Sequence, residues 1–216
     1  MGAAWPWLTL AGLGAFHGLN PAMGWLFAVA LGVQRGSRAA VLRSMLPIAA
    51  GHGLSIAMIV ALLQVLGALL NLRTLEFGAA FTLIGYGLFR LFARHRVRAG
   101  MQVGATQLLL WSFLMASAHG AGLMLLPVLL QMPICTPFGN RAHVMPMASI
   151  GTAAYAALAV VSVHTIAMLV IAGIVAVVVY EWLGLAFLRR AWINLDLVWV
   201  VALIGAGLIL LGMNEF

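Results

Sequence analysis

Along this chain, apolar stretches of membrane length alternate with short polar segments. The stretches fall at about 3–31, 45–70, 75–93, 106–131, 148–188 and 195–213. At about 20 residues per crossing, each is long enough to span the hydrocarbon of a bilayer as a helix. The pattern predicts an all-α, polytopic transmembrane bundle of six spans, a single transmembrane domain over residues 1–216. A seventh element arises if the 148–188 stretch holds a half-helix ahead of a true span at about 155–180. Between the fourth and fifth stretches, QMPICTPFGNRAHVMP carries three prolines and a Gly-Asn pair, and reads as a loop.

Composition removes the soluble alternatives. Apolar residues make up 65% of the 216 and charged residues 7%, against about 45–50% and about 25% in soluble domains. Nothing is left over for a nucleotide-binding domain, so an ATP-driven pump would need a partner chain. The net charge of +7 comes from eleven arginines in short loops. They read as topology determinants and not as a nucleic-acid surface. With the N-terminus outside, the inner loops hold Arg35, Arg38, Arg43, Arg90, Arg94, Arg96, Arg98, Arg189 and Arg190, and the outer loops only Arg73 and Arg141. That positive-inside bias, with an even number of spans, predicts both termini outside the inner membrane of a bacterium. No basic residue precedes the first stretch, which argues against a cleaved signal peptide. The bilayer is the expected partner, and a homo-oligomer or a membrane partner chain fits the short loops.

The two halves, about 3–93 and 106–213, resemble each other. Leu75–Leu88 aligns with Leu195–Leu208 with six identities in 14 positions, and Glu76 matches Asp196. Ser55–Val60 aligns with Thr165–Val170, and His17-Gly18 with His119-Gly120. Three spans per unit is an odd number, so the second unit would sit inverted in the membrane. Inverted three-plus-three repeats are a transporter architecture with the site near the midplane, where the halves meet.

In architecture the chain resembles the lysine-exporter superfamily of three-plus-three membrane proteins. In motif it is nearest to the nickel/cobalt efflux family: His17-Gly18-Leu19-Asn20-Pro21 is similar to the His-x-x-x-Pro element of that family's first helix. Asn20 and Ala22 stand where an acid and a second histidine usually surround that proline. The resemblance implies export of a transition-metal cation. The single Cys135 excludes the superfamily's thiol-relay branch, which needs two sulfurs.

Candidate chemistry gathers around histidines. Pro21 has no N–H for the carbonyl of His17 and its ring crowds that carbonyl, so a kink is expected there. The freed carbonyl, the Asn20 amide and the His17 imidazole then share one turn. Irregular polar backbone persists in hydrocarbon only where it lines a cavity or is buried in protein. His119 holds the matching place in the second half, with Met115 four residues earlier on the same face and Pro127 repeating the helix-breaking feature further along. His52 shares a face with Ser55, and His164 with Met168. An intramembrane histidine is costly enough to count as a functional candidate. The expected substrate site is therefore His17, Asn20, Pro21 and His119, with His52, His164, Met115 and Met168 as further metal ligands. Imidazole suits Zn, Cu, Fe, Ni and Co, and thioethers, Met58 included, favour softer ions.

Three functional classes remain open on these residues. The first is a secondary transporter or export permease for a transition-metal cation, or for a small amino-acid-like solute, with no certain resident cofactor. The second is a membrane cytochrome whose paired histidines hold haem. The third is a non-catalytic subunit docking a larger enzyme. Neither paired acids nor His-x-x-x-His occurs at midspan depth, so no enzyme is expected. Glu76 and Asp196 read as surface carboxylates, and Glu181 as the partner of Arg189 or Arg190. Trp5, Trp7, Trp25, Trp111, Trp182, Trp192 and Trp199 read as interfacial anchors. The glycines of Gly85-Tyr86-Gly87 and Gly205-Ala206-Gly207 read as close-packing positions. Cys135, with His143 and Met132, Met145 and Met147, reads as an ordinary loop, with a soft-metal entry site as the alternative.

Overall fold

A computed structural model describes residues 4–92, 104–132, 148–183 and 195–212. Within them the chain forms eight α-helices: α1 (Trp5–Leu19), α2 (Trp25–Arg35), α3 (Arg38–Leu69), α4 (Leu72–Phe92), α5 (Ala105–Ala118), α6 (Leu126–Leu129), α7 (Ala148–Val178) and α8 (Leu195–Gly212). The Cys135 and His143 loop, Arg94, Arg96, Arg98, Arg141, Arg189, Arg190, Trp192 and Glu215 lie outside the described residues.

The protein is an all-helical, membrane-embedded chain. Segments of α3, α4 and α7 are each long and apolar enough to cross a bilayer, and α5 with Leu123–Leu129, bent by 50°, makes a fourth; α8 is a shorter apolar helix. Leu8, Leu46, Phe81, Phe92, Tyr155 and Ile209 are exposed on the outside, as side chains facing lipid should be. The described part of the 148–188 stretch, residues 148–183, is continuously helical with no break ahead of the expected span. α7 runs for 31 residues, roughly 46 Å at 1.5 Å per residue, and continues into a π turn at Val179–Leu183.

The first and fourth apolar stretches each break. After α1, Asn20 turns extended at φ −71° and ψ 118°, the conformation that a following proline imposes. Pro21–Met23 forms a 3₁₀ turn, which the Asn20 side chain caps by accepting from the Ala22 N–H at 3.0 Å. Gly24 then takes φ +115°, open to glycine at no steric cost. After α5 the break falls at His119–Gly122, where Gly120 adopts φ +68°. Pro127 is therefore not the breaker. It occupies the first turn of α6, where its missing N–H is not needed.

Glycine lets the helices pack through their main chains. α1 lies on α7, α3 on α5, and α4 on α8. A Cβ at Gly14 would strike the carbonyl oxygen of His164, and one at Gly18 that of Met168. These two glycines form the Gly-x-x-x-Gly spacing that brings membrane helices into backbone contact. Gly51 meets the Leu109 carbonyl of α5 in the same way. Between α4 and α8, a Cβ at Gly87 would meet Ile204 and one at Gly207 would meet Ile84, whereas Gly85 and Gly205 face open space. Only one glycine of each expected pair is a packing position.

Candidate functional site

The α1–α7 seam carries His17 and His164 into the centre of the bundle, and α3 brings His52 beside them. All three are fully buried. Their ring centroids are 4.8 Å apart for His17–His164, 5.4 Å for His17–His52 and 5.5 Å for His52–His164. Three imidazoles on a tetrahedral ion, with nitrogens about 2.0–2.1 Å from it, have centroids roughly 5 Å apart. The trio has that spacing. Its nitrogens do not converge as they stand, and among the described residues no group of three or more His, Cys, Asp or Glu is arranged to hold a metal ion.

Hydrogen bonding fixes what two of the rings present. The Nδ1 of His17 lies 2.7 Å from the Leu13 carbonyl, and that of His164 lies 3.1 Å from the Leu10 carbonyl. A carbonyl only accepts, so each Nδ1 carries the proton and each Nε2 keeps its lone pair. That is the arrangement by which proteins orient a ligating imidazole, with the far nitrogen bonded to a backbone oxygen. Both Nε2 atoms are buried without a hydrogen-bond partner. His52 has no partner at either nitrogen, so its ring is the one held only by packing. The buried Asn20 Nδ2 and the Thr165 hydroxyl also lack partners.

His119 stands apart from these three. It closes α5, is buried, and holds its Nδ1 2.8 Å from the Met115 carbonyl, the same four-residue return that His17 makes to Leu13. Trp199 of α8 touches both its ring and that of His17. The indole centroid is 4.3 Å from the His17 ring and 6.1 Å from the His119 ring, nearly perpendicular to both. Its Nε1–H donates to the His119 carbonyl, and its face stacks on Phe16 at 5.2 Å. Tyr86 of α4 donates its hydroxyl to the neighbouring Ala118 carbonyl. These two bonds satisfy carbonyls that the end of α5 would otherwise leave without partners. A Ser55–Ser117 hydroxyl pair at 3.0 Å and a Ser112 bond to the Ile48 carbonyl at 2.7 Å stitch α3 to α5 nearby.

The remaining sequence-predicted residues fall into place around this centre. Asn20 and Pro21 form the turn one residue beyond the His17 helix. Met168 is buried in an apolar cluster with Trp25, Ala28 and Ala172, and Met115 is half-buried with its carbonyl engaged by His119. Glu181 pairs with Arg38 at 3.2 Å; Arg189 and Arg190, its expected partners, lie outside the described residues. Glu76 is half-exposed in the first turns of α4, and nothing is described of the Asp196 side chain.

Two residues were read too simply from the sequence. Trp25 and Trp199 are buried at 4% and 1% exposure, so they are not interfacial anchors. Each carries its indole N–H to a carbonyl at a helix break, Trp25 to Leu19 at 3.3 Å and Trp199 to His119. The repeat alignment held the available signal, since Trp199 stands opposite Ala79. Trp5, Trp7 and Trp182 are exposed near helix ends, as anchors should be. Comparison with protein-family models, curated proteins and solved structures yields no match to this chain.

Proposed function

We propose that this chain is a secondary membrane transporter or export permease for a transition-metal cation, with His17, His52 and His164 as its substrate station. The observation that carries this is the pair of buried, unpartnered Nε2 lone pairs of His17 and His164, on rings 4.8 Å apart with His52 beside them. A buried acceptor without a donor costs about 1–3 kcal/mol. Two of them beside an unanchored third ring amount to a preference for something that brings a positive centre. A haem would need two imidazoles opposed across a flat macrocycle, and three rings in mutual contact fill that plane.

The six-span, inverted-repeat architecture of the lysine-exporter superfamily belongs to the same proposal. Its support is the exchange of pairings: if α1–α2, α3 and α4 correspond to α5–α6, α7 and α8, then α1 on α7 and α3 on α5 are images of one another. The contact of α4 with α8 maps onto itself, Gly87 on Ile204 matching Gly207 on Ile84. Such isologous contact is the signature of a two-fold relation. The Arg38–Glu181 pair agrees with an inner side holding both the first loop and the end of α7.

Elemental analysis of the purified protein, beside His17→Ala and His164→Ala variants, tests the metal reading. We expect Ni, Co, Cu or Zn to bind and to raise the melting temperature, the gain being about 2.7 kcal/mol at a hundredfold excess over Kd. Loss of both effects in the variants is expected, and equal binding by wild type and variants would refute the station. One observation favours a second substrate, a small amino-acid-like solute. The unpartnered Asn20 amide N–H is a donor, which serves a carboxylate and not a bare cation. Stabilisation by amino acids in the absence of metal would select that reading.

A further inference from the structure

We propose that His119 is the third ligand of a second station, which takes over from His17 while His52 and His164 serve both, and that Trp199 is the partition between the two. This deepens the transporter reading above and rests on it. The present trio draws one histidine each from α1, α3 and α7. Exchanging the halves turns those elements into α5, α7 and α3, so the image of the trio is His119 together with the same two helices.

His17 and His119 are matched in detail. Each lies at the end of the first half of a broken helix, is followed by glycine, and returns Nδ1–H to the carbonyl four residues back, at 2.7 Å and 2.8 Å. Each therefore holds its Nε2 as the ligating atom. His52 aligns with Ser162, two residues short of His164, so these two reach the centre at different heights. Their rings are nevertheless 5.5 Å apart and within 5.5 Å of His17.

The halves differ at one large side chain. Trp199 fills the space between His17 and His119, whereas its counterpart in the repeat, Ala79, has nothing to fill such a space with. The indole is held by its bond to the His119 carbonyl and by the Phe16 face. Withdrawing it removes the hydrogen bond, the Phe16 stack and the edge contacts with His17 and His119, and opens the way from one station to the other. A ligand that cannot pass Trp199 meets only the His17 station. The exchange is a change of coordination with no covalent step.

The full-length chain is tested with Co²⁺ as probe, by titration in detergent and by flux into proteoliposomes. Wild type is expected to bind and to transport. His119→Ala is expected to bind Co²⁺ within about twofold of wild type and to lose at least tenfold in flux; retained binding shows that this variant is folded. His119→Gln replaces it if the alanine variant does not fold. His52→Ala is expected to lose both binding and flux. Trp199→Phe, which keeps a ring but loses the N–H, is expected to keep binding and change flux. If wild type binds no Co²⁺, the metal-transport reading itself falls, and this inference with it. If wild type binds but the His119 variant loses binding together with His17→Ala, there is one four-histidine site and the handover alone is overturned. Wild-type flux in the His119 variant overturns it equally.

Discussion

After α1 the chain turns on its own residues, and after α5 it turns on residues from elsewhere. The first break is written within Asn20–Trp25: a proline, an Asx cap on Ala22, a left-handed Gly24 and a tryptophan that reaches back six residues to Leu19. The second has Gly120 in the left-handed region, but its last carbonyls depend on Tyr86 from α4 and Trp199 from α8. The first break would survive small shifts of its neighbours. The second closes locally on the Met115, Ser117 and Ala116 carbonyls, but its Ala118 and His119 carbonyls stay satisfied only while α4 and α8 are docked. Under the transporter proposal, the second break is the one whose hydrogen bonds a shift of α4 or α8 would disturb.

Mutations can break or sharpen that contrast. The largest effect is expected for Trp199→Ala, which empties a core position and leaves the His119 carbonyl unbonded; truncating a buried aromatic costs about 3–5 kcal/mol. Unfolding of the purified protein in detergent, followed by tryptophan fluorescence or calorimetry, measures it. The contrast fails if Trp25→Ala at the first break costs more. Gly14→Ala is expected next, at about 1–3 kcal/mol for overpacking against the α7 main chain, with the same change at Gly12, which faces open space, as the silent control. Tyr86→Phe removes one hydroxyl from the second break and is expected to cost about 1–3 kcal/mol for an unsatisfied buried carbonyl. Proteolysis near residues 119–122 should rise with it if the break depends on that bond. Asn20→Ala at the first break loses a cap at about 1 kcal/mol, with no effect on protection around Gly120. The smallest effect is expected for Arg38→Ala. Its side chain is 60% exposed, and such pairs contribute about 0–1 kcal/mol; a double-mutant cycle with Glu181→Ala would read it.

The same contrast explains how far the sequence could be read. Hydrophobic length and charge give a membrane-embedded helical chain, because those requirements come from the bilayer and act on each segment separately. The kink at Pro21 is legible for a similar reason: the proline and its two neighbours dictate it. Pro127 misleads because proline breaks a helix only inside one, and here it starts one. His17, His52, His119 and His164 stand out singly through their cost in hydrocarbon. Which three meet is set by the order of helices around the centre, and that order depends on glycines at 14, 18 and 51, whose contacts lie on other helices. For Trp199 the repeat alignment shows a large residue opposite Ala79 but not where it points. Its position in the chain says interface, and only the docking of α8 turns it inward.

The Gly14 and Gly18 contacts carry a genetic consequence. Each glycine rests on carbonyl oxygens of α7, at His164 and Met168, and a carbonyl is the same whatever residue bears it. A larger residue at position 14 or 18 therefore has few second-site suppressors to find on α7, because no substitution there removes the atom in the way. A Cβ at Gly87 would meet first the side chain of Ile204, and shortening that isoleucine makes room; at Gly207 the Ile84 side chain is the nearest atom, with the Ala80 carbonyl at 3.0 Å behind it. Suppressor selections should recover compensated variants readily at the α4–α8 seam and rarely, if at all, at the seam that carries His17.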